Sequence, residues 1–318
     1  MIQVNNVSRS YDVPKKISPT GKINAVDNIS FSVNAGEIFG LLGPNGAGKS
    51  TTIKMMTTIL LPTNGAISIM GFDSYKDRKK IRSNINVVFG GERGMYWKLS
   101  GYENLLYFSL LHQIPKRRAM VRIDQLMEEF ELTDFKDLPV GKYSSGMKQK
   151  LHFARALLND PKIIFLDEPT NAMDPKTSEK VRNIIFDLKN QGKTVILATH
   201  NMLEADRLCD RLLIMNKGKI IQEGKPKVLK HFLKNEKVRL QLKGVWNYED
   251  FRVLGSDFKE IQVKQEDGAT TIEILGAGIN LNRIVQAVIN LNAEIISVAE
   301  AIPELEEVYI KSISMEAK

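Results

Sequence analysis

Short apolar stretches, alternating or continuous, predict strands at IQVNNV (2–7), ISFSV (29–33) and EIFGLL (37–42). A helix is expected from Lys49 to about Leu60, ended by the Leu61-Pro62 step and the Asn64-Gly65 turn. AISIM (66–70) and INVVF (85–89) read as further strands. Residues 101–158 carry several helical stretches and no strand pattern, which marks a helical insertion. KIIFLD (162–167) and TVILAT (194–199) then run apolar without a break, each followed by a helical pattern. Unbroken Val/Ile/Leu strands separated by helices predict an α/β fold with a mostly parallel sheet covered on both faces.

After a helix expected over 226–234 the pattern changes. VRLQLKG (238–244), EIQVK (260–264), ATTIEIL (269–275), a helix from about 280 to 291 and EIISVA (294–299) follow in turn. With a short helical turn near 248–253, the order is β-α-β-β-α-β, that of a small ferredoxin-like sandwich, closed by PELEEVYIKSI (303–313) as a last helix. The expected division is therefore 1–234, with a helical subdomain at about 91–160, and a small α+β domain at 235–318.

Length agrees, since 318 residues suggest two domains of about 150 residues each. A 43% hydrophobic and 26% charged composition is that of a globular chain and excludes disorder. No stretch approaches the roughly 18 apolar residues of a membrane helix, and MIQVNNVSRSYD does not read as a signal peptide. Cys209, the single cysteine, has no partner for a disulfide within the chain, and the four histidines form no metal-spaced cluster. Secreted, membrane-spanning and zinc-finger readings fall away. The net charge of +8 is uneven: 9 basic face 14 acidic residues in 235–318, leaving 36 against 23 before it, or −5 after a body of +13. A basic body suits polyphosphates, anionic lipid or nucleic acid, and composition does not choose among them.

Residues 43–51 read GPNGAGKST: Gly43, Pro44, Asn45, Gly46, Ala47, Gly48, Lys49, Ser50 and Thr51. Gly43, Gly48, Lys49 and Ser50 fit G-x-x-x-x-G-K-[ST]. Glycines let backbone N–H groups close around a phosphate, Lys49 supplies a point charge, and the Ser50 hydroxyl can ligate Mg²⁺. The loop follows an expected strand and opens a helix, whose positive end favours the same anion. IIFLDE (163–168) ends a buried strand in two acids. Asp167 is placed to hold Mg²⁺, and Glu168 to take a proton from an attacking water.

YSSGMKQKLHFARALL (143–158) brings these motifs together as a family. The chain resembles the ATP-binding subunits of ABC transporters, whose signature loop usually reads Leu-Ser-Gly-Gly-Gln. Tyr143 falls on the first position and Ser144, Ser145, Gly146 and Met147 on the last four. The resemblance implies that this loop caps ATP held by a partner subunit. Read alone, a Ser-Ser-Gly turn is a plain helix N-cap. Within NAMDP (171–175), Asp174 looks like the D-loop acid. His200, at the end of TVILATH, looks like the switch histidine that meets the γ-phosphate. Tyr11 stands where the family has an adenine-stacking aromatic, although Asp12–Lys22 is a long connection.

The resemblance covers 1–230 and implies a P-loop ATPase of ABC type, with antiparallel N-terminal strands beside the core sheet. It further implies ATP and Mg²⁺ as ligands, a second ATPase subunit, identical or different, and membrane-spanning permease subunits. The place would be peripheral, on the cytoplasmic face of the cell membrane, with no nucleic acid expected. Two departures stand out. Ser145 replaces a glycine, and Gly90 and Gly91 stand where the Q-loop glutamine is expected, with Glu92 beside them. The segment that follows, ERGMYWKLSGYENLLYF, places Met95, Tyr96 and Trp97 where the family docks its permease. The short signature and acidic tail look like those of exporters of drugs, antibiotics, lipids or polysaccharides. An importer ATPase and a soluble regulatory ATPase are the alternatives.

Overall fold

The computed structural model describes residues 1–16, 18–89, 94–171, 173–231, 237–254, 260–266, 268–275, 281–300 and 304–316. Gly90, Gly91 and Glu92 lie outside the described residues, as does the expected domain boundary at 234/235. The chain divides into two compact units, Met1–Lys225 and Pro226–Lys318.

In chain order the first unit comprises β1 (Ile2–Asp12), β2 (Lys22–Val33), β3 (Ile38–Leu42), α1 (Lys49–Met56), β4 (Asn64–Ile69), β5 (Phe72–Asp73), α2 (Arg78–Arg82) and β6 (Ile85–Phe89). It continues with α3 (Gly101–Leu111), α4 (Lys116–Glu129), α5 (Ser145–Ala156), β7 (Ile163–Asp167), α6 (Pro175–Asn190), β8 (Thr194–Thr199), α7 (Met202–Leu208), β9 (Arg211–Asn216) and β10 (Lys219–Gly224).

Six strands form the core sheet in the order β10-β9-β3-β8-β7-β6. All neighbours are parallel except β10 against β9. Every residue of β3, β7 and β8 is buried, because helices cover both faces of a parallel sheet. The sheet is laid down so that the C-terminal ends of β3, β7 and β8 share one edge, where ligands of open α/β sheets bind. A second, antiparallel sheet runs β2-β1-β4-β5. Its apolar positions Ile2, Val4, Ile29, Ile67 and Ile69 join Phe39, Met55, Met56, Phe165 and Ile196 in one core.

β1 reaches Asp12 and β2 starts at Lys22, further than the alternating pattern suggests, and Val13 N–H donates to Gly21 O at 2.9 Å to close the hairpin. α1 stops at Met56, short of the expected Leu60. Thr57 Oγ1 turns back to Ile53 O at 2.9 Å, Thr58 takes a left-handed conformation (φ 59°), and Arg82 donates to Thr58 O at 2.9 Å, so the terminal carbonyls are satisfied early. Helices α3, α4 and α5 and two 3₁₀ turns, Thr133–Phe135 and Val140–Lys142, make up the helical insertion. Ser100 and Glu103 start α3 with a reciprocal capping box.

The second unit holds α8 (Pro226–His231), β11 (Lys237–Lys243), a 3₁₀ segment (Tyr248–Leu254), β12 (Glu260–Glu266), β13 (Ala269–Leu275), α9 (Leu281–Asn290), β14 (Ile295–Glu300) and α10 (Leu305–Glu316). Its sheet is antiparallel throughout in the order β12-β13-β11-β14. Val238, Leu240, Leu242, Ile272 and Ile274 pack on Phe251, Ile284 and Val288 from the helical layer.

Candidate functional site

The loop between β3 and α1 is built around close backbone approach. Gly48, the N-cap of α1, has φ 105°, and a Cβ there would lie 2.6 Å from the Ala25 carbonyl oxygen. Gly48 has no side chain to cap α1, so the first-turn N–H groups of this helix point to an anion as their partner. Lys49 is buried, and its Nζ donates to Gly43 O at 2.7 Å and to Pro44 O at 3.1 Å, folding back over its own loop. Thus the ammonium is held against the carbonyls of its own glycine-rich loop. Asn45 and Gly46 are exposed at the tip, while Ala47 is buried beneath it, and Thr51 follows on α1.

Two strands bring the acids to the same place. Asp167 ends β7, and its Oδ1 accepts from Ser50 Oγ at 3.0 Å. Burial pushes the Asp167 carboxyl up, partly offset by the Ser50 hydroxyl and Lys49, while Glu168 raises it further. An oxygen pair of this kind, a hydroxyl and a carboxylate whose charge is costly unless matched, fits a hard divalent cation. Glu168 departs from the sheet with φ 53°, a left-handed conformation that costs a non-glycine residue about 1 kcal/mol or more. Its N–H donates to Ala198 O at 2.9 Å on β8, which holds the strained turn in place.

The Glu168 carboxylate is divided between two partners. Oε1, buried and accepting no hydrogen bond among the described residues, faces Lys49 Nζ at 3.4 Å. Oε2 lies 2.8 Å from Nδ1 of His200, which follows β8 and is exposed. Lys49, Ser50, Asp167, Glu168 and His200, spread over 152 residues of sequence, are thus brought together. A cleft of 640 Å³ opens beside them, lined by Ser50, Lys54, Phe89, Arg155, Asp167 and Glu168.

Ser144, Ser145, Gly146 and Met147 lie apart from this cleft, around a separate hollow of 270 Å³. Ser144 caps α5, its Oγ accepting from Met147 N at 3.2 Å. Ser144 and Ser145 are exposed, whereas Tyr143 is buried and donates to Phe135 O at 2.8 Å, with its phenol pushed up to about 12 by burial. Asp174 caps α6 by accepting from Thr177 N at 3.0 Å, and Thr177 lines the same hollow. Bonding to Thr177 holds the Asp174 carboxyl below the usual range. From the next turn of α5, buried Gln149 donates to Pro169 O at 3.2 Å, tying the signature helix to the segment after Glu168.

Tyr11 pairs with Ile23 across the β1–β2 ribbon, two residues from the Ala25 that abuts Gly48, and the Arg9 guanidinium covers its ring at 4.8 Å. Among the residues marked for docking, Tyr96 and Trp97 are 47% and 50% exposed, but Met95 is buried. Lys148 sits over the Trp97 ring at 4.6 Å.

Three contributors have no role assigned to them from the sequence. Arg155 on α5 crosses to Gly94 O at 2.6 Å and stacks on Phe108 at 4.8 Å, walling the cleft. Asn104 is fully buried and bonds the backbone of the Tyr96–Ser100 loop. The β9–β10 turn reaches the phosphate loop: Gly218 N–H donates to Ala47 O at 3.0 Å, and Gly218 O accepts from Asp27 N at 2.9 Å. Gly218 has φ 82°, and a Cβ there would lie 3.0 Å from Ala25 O. Only a chain fold reveals these, since each depends on a partner far away in sequence.

A family profile described as ABC transporter matches residues 26–171. The chain is 38% identical over 224 residues to the ABC transporter ATP-binding protein NatA of Bacillus subtilis, spanning 70% of this chain and 89% of that protein. It is 39% identical over 244 residues to a fluoroquinolones export ATP-binding protein of Mycobacterium tuberculosis, 77% of each chain. Among solved structures, a dimeric post-hydrolysis state of an ATP-binding cassette bound to ADP and Pi superposes with a TM-score of 0.60 at 28% identity, covering 71% of this chain and 98% of that one.

Proposed function

Since this chain belongs to the ATP-binding proteins of ABC transporters and is an ATPase of that type, we propose that it powers export through separate membrane-spanning permease subunits. The observation that carries the mechanism is the Lys49–Glu168–His200 network against the Ser50–Asp167 pair. Gly43 to Thr51 wrap the phosphates of ATP, with Lys49 on the outer ones, and Tyr11 stacks on adenine. Ser50 and Asp167 would hold Mg²⁺, which would supply charge to offset the phosphates. Without nucleotide, Lys49 pairs with Glu168; phosphate oxygens compete for that ammonium and release the carboxylate. Glu168 then accepts a proton from the attacking water, and His200 fixes its orientation from the other oxygen.

Ser144, Ser145, Gly146 and Met147 lie around a different hollow from the cleft of Glu168, which supports a role on the nucleotide of a second ATPase subunit. Asp174 positions Thr177 beside that hollow. Tyr96 and Trp97 meet the permease, so the chain sits peripherally on the cytoplasmic face of the membrane. The fluoroquinolones export relative supports the outward direction. ATP turnover per molecule, measured across protein concentrations, tests the shared site: it should rise with concentration, and the Glu168→Gln chain should sediment as a dimer with ATP. A concentration-independent rate from a proven monomer overturns this reading.

A further inference from the structure

The corner between α3 and α4 carries a surface that no nucleotide motif uses. α3 ends at Leu111 and α4 begins at Lys116, and the short connection is closed by Gln113 N–H to Leu110 O at 2.9 Å and Ile114 N–H to Ser109 O at 3.0 Å. Helices joined so tightly return antiparallel, so the last turn of α3 and the first turns of α4 share one end. From Asn104 to Ile123 the sequence has no acidic residue, while it places Lys116, Arg117, Arg118 and Arg122 on α4. Among the described residues, no ion pair engages Lys116, Arg117 or Arg118.

Two further observations point to a ligand. Arg117, Arg118 and Arg122, with Val121, line a hollow of 430 Å³, in which Arg122 is anchored by its Nη2 bond to Leu157 O at 3.2 Å while its buried Nε has no partner among the described residues. Leu110 and Leu111 in the last turn of α3 are 58% and 62% exposed, and Met120 and Val121 on α4 are 44% and 57% exposed, Val121 lining the hollow itself. Guanidinium groups match phosphate oxygens in a fork that ammonium groups lack. Exposed aliphatic side chains among those cations suit a bilayer interface, which takes apolar groups into the acyl boundary and cations at the headgroups. A nucleic acid would leave the same aliphatic groups in water, where base-stacking aromatics are the usual binding devices.

We propose that this corner binds anionic phospholipid headgroups directly, as a membrane contact of the ATPase separate from its permease dock. The test uses the full chain and permease-free vesicles, so its failure is distinct from failure of the docking reading. Sedimentation with vesicles containing phosphatidylglycerol should exceed that with pure phosphatidylcholine and should weaken with added salt. Each cation near such a surface contributes roughly a fivefold factor, so Lys116→Gln/Arg117→Gln/Arg118→Gln should weaken binding on the order of a hundredfold with nucleotide binding intact. Leu110→Ser/Leu111→Ser, which leaves charge unchanged, should weaken it about tenfold. Neutralising Lys76, Lys79 and Lys80 instead should have little effect. Equal loss in both lysine-bearing sets would mean that net charge alone drives binding, and would overturn the proposal. So would vesicle binding indifferent to either corner variant, or a DNA duplex bound through the corner in preference to vesicles.

Discussion

The Asn104 side chain replaces a neighbouring strand for Tyr96: its Oδ1 accepts from Tyr96 N at 2.8 Å and its Nδ2 donates to Tyr96 O at 3.0 Å. The same amide donates to Ser100 O at 2.9 Å, so one fully buried side chain shapes the loop that presents Tyr96 and Trp97. Buried amides of this kind are expensive to leave without partners.

Asn104→Ala should therefore cost about 2–3 kcal/mol in urea unfolding, the amount expected when buried backbone groups lose their partners. ATP binding should remain within about twofold, since Asn104 bonds only the Tyr96–Ser100 backbone among the described residues. Unchanged stability would mean that the loop holds its shape by itself.

Nucleotide binding and hydrolysis should separate by residue. Lys49→Ala removes the charge at the phosphate cradle and should weaken ATP binding on the order of a hundredfold in equilibrium titration. Glu168→Gln preserves shape and should bind ATP normally but lose about a hundred- to a thousandfold in turnover. Wild-type turnover in Glu168→Gln would remove Glu168 from the role of base.

Asp167 offers a stability test with a definite sign. Its carboxyl is raised by burial, so the charged form opposes folding of the nucleotide-free chain, and the penalty fades as pH falls through the raised value. Asp167→Asn should match or exceed the wild-type melting temperature at pH 7. The gap should close on acidification, as the wild type takes up the proton. Added Mg²⁺ with ATP should raise the melting temperature of the wild type more than that of the variant, which keeps the Gly43–Thr51 loop but loses one metal-ligating oxygen. A variant less stable than wild type at pH 7 and equal to it at pH 4 would reverse the assignment.

Trp97→Ala should leave the chain folded and able to bind ATP, since the residue is half exposed. Retention on vesicles containing the permease should fall to the level given by lipid alone. Full transport with the variant would exclude Trp97 from the dock.

Legibility in the sequence followed locality. GPNGAGKST, IIFLDE and the helix after YSSG are continuous segments whose chemistry and backbone demand are written side by side, and the structure joins Lys49, Ser50, Asp167 and Glu168 as neighbours. Helix α1 ended early because the Thr57 and Thr58 interactions, including Arg82 from α2, outweigh a good helical pattern. Met95 illustrates the opposite failure, where composition marked a surface residue and packing buried it. Arg155 and Asn104 were invisible for a simpler reason: an arginine on a helix and an asparagine near a helix start are common, and only the carbonyls of Gly94 and Tyr96 give them work.

Hairpin tips at the edge of a sheet are where protein engineers place epitope tags and split points, because such tips usually tolerate added length. The Lys217–Gly218 turn has that look in a sequence, lying between two short strands far from any motif. Its two backbone bonds, to Ala47 and Asp27, make it a strut for the Gly43–Thr51 loop instead. A tag inserted there would act as a nucleotide-binding lesion without touching a single residue of GPNGAGKST, and a natural variant that lengthens this turn would be misread as harmless by any survey confined to the motifs.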